Sequence, residues 1–435
     1  MSVAPALVPA LTGPAMDRYA VLLALAGMGL VGLLVLRSHP KVGVALWFLV
    51  VCFVPTWVEA NVGVLIPPTT LVGGVLLASM ALLLPSRVTV ADWLVGFFFV
   101  ACLVPVLVGA SSLAAVSAVI LKWLIPFLVG RLLPLRVPTD WIYRCAGVFF
   151  TGVSVLAILE SLLRWNPFVT VVANNVDYRT WSPLQQRGSL LRVEGAFGHS
   201  IALGTSIALV LPLVLGSSLR TRTKVVMVAA MLSAVVLTLS RIGIVCSVLA
   251  LVLFVVFSRW GLTARARAVL SGVLVVGVLA ATPSLLSVFD RAGPEPLLSA
   301  VYRSQLTELV PYVSVLGVAP NQHRTATGEV FFGSYRSIDN ALILLGLTYG
   351  FVALAFALLL LTCAVVAVVA RAATPPVLAM AAQVPAVASV ALITQYEMLF
   401  WFVGGLALAT LTGRGLGPPR TDASGNQAQA HSLTV

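Results

Sequence analysis

The stretch Ala300–Gly350 reads AVYRSQLTELVPYVSVLGVAPNQHRTATGEVFFGSYRSIDNALILLGLTYG. A polar loop carrying Arg303, Arg324 and Arg336 runs directly into an apolar helix that opens at Asp339-Asn340. The apolar part has the composition of a membrane span, and the loop before it does not. Cations and a carboxylate are thereby set at the mouth of a span.

The rest of the chain agrees. Of its 435 residues, 60% are hydrophobic and 9% charged, with a mean hydropathy of +1.07, whereas a soluble domain carries about 25% charged residues. A span needs about 20 mostly apolar residues. Apolar runs near 19–36, 42–58, 64–84, 92–110, 112–130, 141–160, 197–216, 225–239, 243–258, 268–286, 340–362, 376–394 and 398–412 satisfy or approach that length. The expected fold is an all-α polytopic integral membrane protein of 12–13 transmembrane helices, forming a single domain over 1–412. Two long loops, 161–196 and 287–339, interrupt it, and loops of that length usually carry function. In 297–310, Leu298, Tyr302, Leu306 and Leu309 recur at helical spacing, with Pro311 as the stop. Residues 413–435 read as a disordered tail. Residues 1–17 hold no Lys or Arg, so the first apolar run is expected to be a span rather than a cleaved leader.

Basic residues set the orientation, since cytoplasmic loops are enriched in them. Fifteen of the 26 Lys and Arg, from Arg37 and Lys41 through Arg131, Arg136, Arg144, Arg220, Arg222 and Lys224 to Arg420, fall on one side. That side reads as cytoplasmic, with the N-terminus outside. The net charge of +12 is spaced between apolar runs rather than gathered among aromatics, which excludes nucleic acid as a partner. Cys52, Cys102, Cys145, Cys246 and Cys363 read as small buried hydrophobes. Neither they nor the four histidines have metal-ligand spacing, so no metal or cofactor is expected.

Each candidate site residue carries two readings. Asp339 is either a helix N-cap or a partly desolvated general base facing a wet cleft, with Asn340 beside it. Arg241, between two short apolar runs, either snorkels to the interface or presents its planar fork to phosphate oxygens. Arg303 either pairs with Glu308 or Glu295, or binds an anion. Arg192, Glu194 and His199 lead into a span through two glycines that permit close backbone approach, and His199 serves equally as a cap. Arg324, Arg336 and His323 lie in a loop where solvated groups are common. Lys122, the single basic residue within a span, either snorkels to the cytoplasmic end or is functional.

The sequence Arg192-x-x-Gly195-x-Phe197-x-His199, Thr238-Leu-Ser-Arg241, Leu316-Gly-Val-Ala-Pro320, and Ile338-Asp-Asn followed by Gly350 resembles the O-antigen ligase and O-antigen polymerase family over roughly residues 190–365. That resemblance implies a GT-C-like fold and glycosyl transfer at the outer face of the bacterial cytoplasmic membrane. The donor would be an undecaprenyl-pyrophosphate-linked oligosaccharide, the acceptor another glycan, and a chain-length regulator a further partner besides membrane lipids. It also implies a catalytic set of Asp339, Arg241 and Arg303, with Arg192, Glu194, His199, Arg336 and Asn340 binding substrate. Where the ligases carry His this chain has Asp339, and Ala353 replaces a small or Tyr residue. The departure favours a polysaccharide polymerase over a ligase that attaches finished glycan to a lipid, protein or wall acceptor. A transporter or lipid-glycan flippase is the reading from another class.

Overall fold

The computed structural model describes residues 29–61, 64–80, 88–187, 190–258, 301–302, 304–325 and 330–412, with the isolated positions 27, 267, 268 and 272. The N-terminal segment, Arg303, residues 273–300 and the tail 413–435 lie outside the described residues, so the expectations for Arg303, the first turns of the 19–36 span, nearly all of the 268–286 span and the tail fall there. The described chain is mostly helical. In order it forms α1 (Gly29–Ser38), α2 (Pro40–Phe53), α3 (Pro68–Ser79), α4 (Val90–Leu107), α5 (Leu113–Leu135), α6 (Thr139–Leu163), α7 (Ser200–Gly216), α8 (Thr221–Leu237), α9 (Arg241–Phe257), α10 (Ala341–Tyr349), α11 (Phe351–Val369), α12 (Pro375–Val387) and α13 (Thr394–Thr412). Three antiparallel hairpins decorate the loops: β1–β2 (Ala60–Asn61, Leu65–Ile66), β3–β4 (Gln186–Arg187, Leu190–Leu191) and β5–β6 (Gln322–Arg324, Val330–Phe332).

Among the described residues four helices, α4, α5, α6 and α11, are long and apolar enough to cross a membrane. Shorter apolar helices pack among them, and together they mark a multi-pass membrane protein. At the centre is α7, buried along nearly its whole circumference, as a helix without a polar face must be. By contrast α11 fully buries only Ala353 and Val368 and exposes one apolar face that includes Phe351, Leu358, Val365 and Val369.

Apolar burial does not drive helices together in lipid, so close backbone contact at small residues takes its place. Two glycine crossings fix the bundle. At the first, a Cβ on Gly130 of α5 would lie 2.0 Å from the Phe402 carbonyl of α13, and one on Gly405 would lie 2.0 Å from the Phe127 carbonyl. At the second, α7 and α9 touch at Gly204 and Gly243, where an added Cβ would meet the other glycine's Cα at 3.3 and 3.0 Å. The aromatic stack of Phe98, Trp123 and Trp401 fills in around the first crossing.

Among the described residues, basic side chains assigned to one side gather at one end. There Arg131 pairs with Asp92 at 2.8 Å, Arg144 pairs with Asp140 at 2.5 Å, Lys224 donates to the Leu215 carbonyl, and Lys41 sits over the Trp141 ring. The described parts of both long loops lie at the opposite end, called here the loop end.

The expected continuous helix over 340–362 is broken at Gly350, whose φ is +94°. Gly346 packs against Leu354, eight positions on, which a straight helix would place about 12 Å away. The segment 314–319 clasps the break. The N–H groups of Gly317 and Ala319 donate to the Tyr349 and Leu347 carbonyls, and those of Phe351 and Val352 donate to the Ser314 and Val315 carbonyls. The Leu316-Gly-Val-Ala-Pro320 motif therefore has a structural task. Gly317 (φ +79°) also lies directly on the Ala110 carbonyl. With Asn340 tied to Ala388 at its other end, α10 runs across the loop end instead of through the bundle. Of the helix expected over 297–310, residues 301, 302, 304 and 305 are α-helical and run into a 3-10 turn over Leu306–Tyr312 that has Pro311 inside it and buries Leu306 and Leu309 as the spacing requires. Cys363 is exposed, unlike the other four cysteines, because it lies on the outward-facing α11.

The crossings give a stability test. Gly405→Ala is expected to lower the stability of the purified protein by about 3 kcal/mol, because a carbonyl oxygen blocks the new methyl. Gly74→Ala, which meets nothing within 4 Å, is expected to leave the thermal midpoint in detergent unchanged.

Candidate functional site

Two helix starts meet at the loop end because of the Gly204–Gly243 contact. His199 caps α7, its Nδ1 accepting from the Ile201 N–H at 3.1 Å, which puts the ring proton on Nε2. Burial, with Arg192 nearby, pushes its pKa down to about 4, so His199 is neutral. Ser240 caps α9 by accepting from the Gly243 N–H, which leaves Arg241, the first residue of α9, exposed. The turn between α8 and α9 bends through Leu239 at φ +50°. The Arg192 Nε donates to the Thr238 carbonyl at 3.1 Å and an Arg187 Nη donates to the Leu239 carbonyl at 2.8 Å. Three arginines thus converge on one turn. Arg187 was not singled out in the sequence, since nothing local distinguishes it from Arg164 or Arg179.

Glu194 is wholly buried. Burial pushes its carboxyl up to about 8, with Glu160 adding to the rise and Arg192 opposing it. Glu160 accepts from the N–H groups of Glu194 and Gly195 at 3.2 and 2.9 Å and from Asn166 at 3.1 Å. These bonds fix the loop that carries Arg192.

The Asp339-Asn340 pair divides its labour in a way the sequence left open. Asn340 is the N-cap of α10, accepting from the Ile343 N–H at 3.0 Å and donating to the Ala388 carbonyl at 2.8 Å. Capping therefore consumes Asn340 and not Asp339. The half-buried Asp339 carboxylate accepts from the Ser337 hydroxyl at 3.1 Å. Tyr302 donates to the Ser337 carbonyl and stacks near Tyr335, so a small core of Leu306, Leu309, Phe332, Ile338 and Leu347 supports the carboxylate from behind. Arg336 is exposed on the same loop.

Helix α9 and the start of α10 both contact the segment 384–390. Cys246, in the second turn of α9, is hydrogen-bonded to the Ala386 backbone, and the Ala341 N–H donates to the Val390 carbonyl. Below Ala341 lies a cavity of about 370 Å³ among α4, α5, α10, α11, α12 and α13, walled almost entirely by apolar side chains such as Phe98, Leu345, Leu361 and Trp401. It extends from Glu397 to Leu411 along α13, about 21 Å at 1.5 Å per residue.

Lys122 does not reach for the basic end. Pro126 withholds the N–H that would pair with the Lys122 carbonyl, and α5 widens into a π-turn over Val119–Leu124. Lys122 consequently faces Glu59 and Glu397, while Trp123 donates to Glu397. Burial pushes Glu59 up to about 7, with Lys122 opposing and the hydrogen-bonded Asp177 adding to the rise. The loop end thus has a cationic corner at the arginine turn and a carboxylate-rich one around Lys122. Among the described residues no group of His, Cys, Asp and Glu is arranged to hold a metal ion.

No family model matches the chain. No curated protein matches it either.

The Glu194 environment makes stability pH-dependent. Its folded value of about 8 lies above the ordinary 4.5, so the fold retains a proton that the unfolded chain releases. The contribution is fully present below the unfolded value and is lost as pH rises toward 8. Thermal midpoints measured from pH 5 to 9 are expected to fall for the wild type and to fall less steeply for Glu194→Gln.

Proposed function

We propose that the protein is a bacterial cell-surface polysaccharide polymerase, an inverting glycosyltransferase with a lipid-pyrophosphate donor working at the outer face of the cytoplasmic membrane. The observation that carries this reading is the arrangement of the loop end. The helix that the arginine turn opens and the helix that follows the uncapped Asp339 both contact one segment, 384–390, and Ala341 and Val387 line a long apolar cavity. Guanidinium groups suit the diphosphate leaving group, whose negative charge grows as the glycosidic bond breaks. Asp339, relieved of capping by Asn340, is the acceptor of the proton from the incoming sugar hydroxyl. The cavity has the length and lining to take part of a polyprenyl chain. Arg303 is assigned to the same diphosphate, on the resemblance of its position to the family's loop-helix arginine, and Arg336 assists.

In that reaction the hydroxyl oxygen of the acceptor attacks the anomeric carbon of the donor sugar, its proton passes to Asp339, and the carrier diphosphate departs with the bonding electron pair. Arg241 and Arg303 hold the departing oxygens. The loop end would then be extracytoplasmic and the basic end cytoplasmic, in keeping with the distribution of Lys and Arg.

One observation favours a transporter instead: the helix break at Gly350, since discontinuous helices often form transport sites. Those breaks present unsatisfied backbone groups to a substrate. Here residues 314–319 already occupy the groups at the break, and the break lies beside the loop-end Ala110 turn. A glycosyltransferase is the better account.

Asp339→Ala and Arg241→Ala are each expected to cut polymer formation by about 100-fold or more in cells and with purified protein. Unchanged polymer yield and length in both variants would rule the mechanism out. Transfer of one preformed chain without a ladder of lengths would move the assignment to a ligase, and uptake into proteoliposomes without bond formation would move it to a transporter.

A further inference from the structure

Every backbone carbonyl between the end of α8 and the start of α9 has a partner, and two of those partners are arginine side chains. The Val235 carbonyl accepts from Thr238, and the Val236 carbonyl accepts from the Leu239 N–H. The Leu237 carbonyl accepts from the Val193 N–H at 3.3 Å. The Thr238 and Leu239 carbonyls accept from Arg192 and Arg187. Three successive carbonyls are therefore held by one edge of the β3–β4 hairpin and the residues after it. That edge is itself anchored. The Arg192 N–H donates to the Gln185 carbonyl, and the Gln185 side chain accepts from Ser200 in the first turn of α7.

Leu239 makes this arrangement consequential. At φ +50° a leucine is strained, and glycine is the usual occupant of such a helix-ending position. Leu239 is buried, so the leucine side chain contributes packing while its backbone needs to be held in place. Arg241 follows two residues later, and its direction depends on the path of that turn.

We propose that Arg187 is a positioning residue: with Arg192, it holds the left-handed turn at Leu239 so that Arg241 is aimed at the substrate. The proposal rests on the reading of Arg241 as a diphosphate-binding residue. It assigns Arg187 a role that acts through Arg241 and makes the 185–193 segment the support on which donor binding depends.

The test uses full-length protein in nanodiscs, with hydrogen exchange at residues 238–243 and steady-state transfer from a lipid-linked donor. Arg187→Met is expected to speed exchange in the turn about tenfold and raise the donor KM by about as much, leaving the acceptor KM unchanged. Arg187→Lys, which keeps a donor for the Leu239 carbonyl, is expected to recover most of both. Leu239→Gly in the Arg187→Met background is expected to recover donor KM, because glycine adopts the turn without being held. Wild-type exchange in Arg187→Met overturns the proposal, and wild-type exchange with a raised donor KM means that Arg187 touches substrate itself. A loosened turn in a protein whose wild type transfers no glycan leaves the positioning role standing and removes the proposed function. Should Arg187→Met fail to fold, Arg187→Gln is read by the same outcomes.

Discussion

Backbone groups at helix ends need hydrogen-bond partners, and in a membrane protein water supplies few of them. The loop end of this chain is built around that constraint. Three helix interruptions, at Leu239, Gly350 and Asn340, each draw a loop segment down onto the bundle to satisfy the carbonyls and N–H groups they expose. The 190–193 edge serves the first, 314–319 the second, and the Ala388 and Val390 carbonyls the third. Loops that would otherwise wander are fixed in place because the helices beneath them are incomplete. The side chains they carry acquire defined positions as a by-product of backbone satisfaction.

Glycine crossings act on the same outcome from below. Where Gly204 and Gly243 bring α7 and α9 into backbone contact, the caps of both helices, His199 and Ser240, come into one corner. Where Gly130 and Gly405 do the same for α5 and α13, Trp123 meets Glu397. In each case a contact made by absent side chains decides where polar ones stand.

Much of this was legible in the sequence, and the boundary is physical. Hydropathy marked nearly all of the described helices within a few residues, because span length is a strong constraint. The distribution of Lys and Arg correctly grouped Arg131, Arg144 and Lys224 at one end. The break at Gly350 escaped it, since both flanks are apolar and hydropathy does not register a change of direction. The bland reading of Asp339 as a cap failed because Asp and Asn compete for the same role, and which of two adjacent residues takes it depends on the Ala388 carbonyl 48 positions away. His199 is a cap, as one of its two readings had it. Of the two readings of Lys122, the one that sends it to the cytoplasmic end gives way because the helix widens locally before Pro126, and the carboxyl groups that Lys122 faces come from segments about 60 and 270 residues distant in sequence. Arg187 could not be recognised at all, because its partner is a main-chain carbonyl.

The two corners also bear on what can be bound where. A diphosphate brought to Glu59, Asp177 and Glu397 would meet Lys122 set among carboxyl groups, of which burial raises Glu59 to about 7. Brought to the turn at Arg241, it meets Arg187 and Arg192 nearby, while the buried Glu194 is held by its surroundings in the protonated, uncharged form through neutral pH. The protonation of Glu194 therefore matters beyond stability. An ionised carboxylate at that position would offset part of the positive charge on Arg192 beside it. By keeping Glu194 neutral, burial leaves the cationic corner cationic. The same desolvation that makes the group expensive to ionise thus preserves the contrast between the corners, which on the proposed function would orient a molecule that is anionic at one end and hydroxyl-rich at the other.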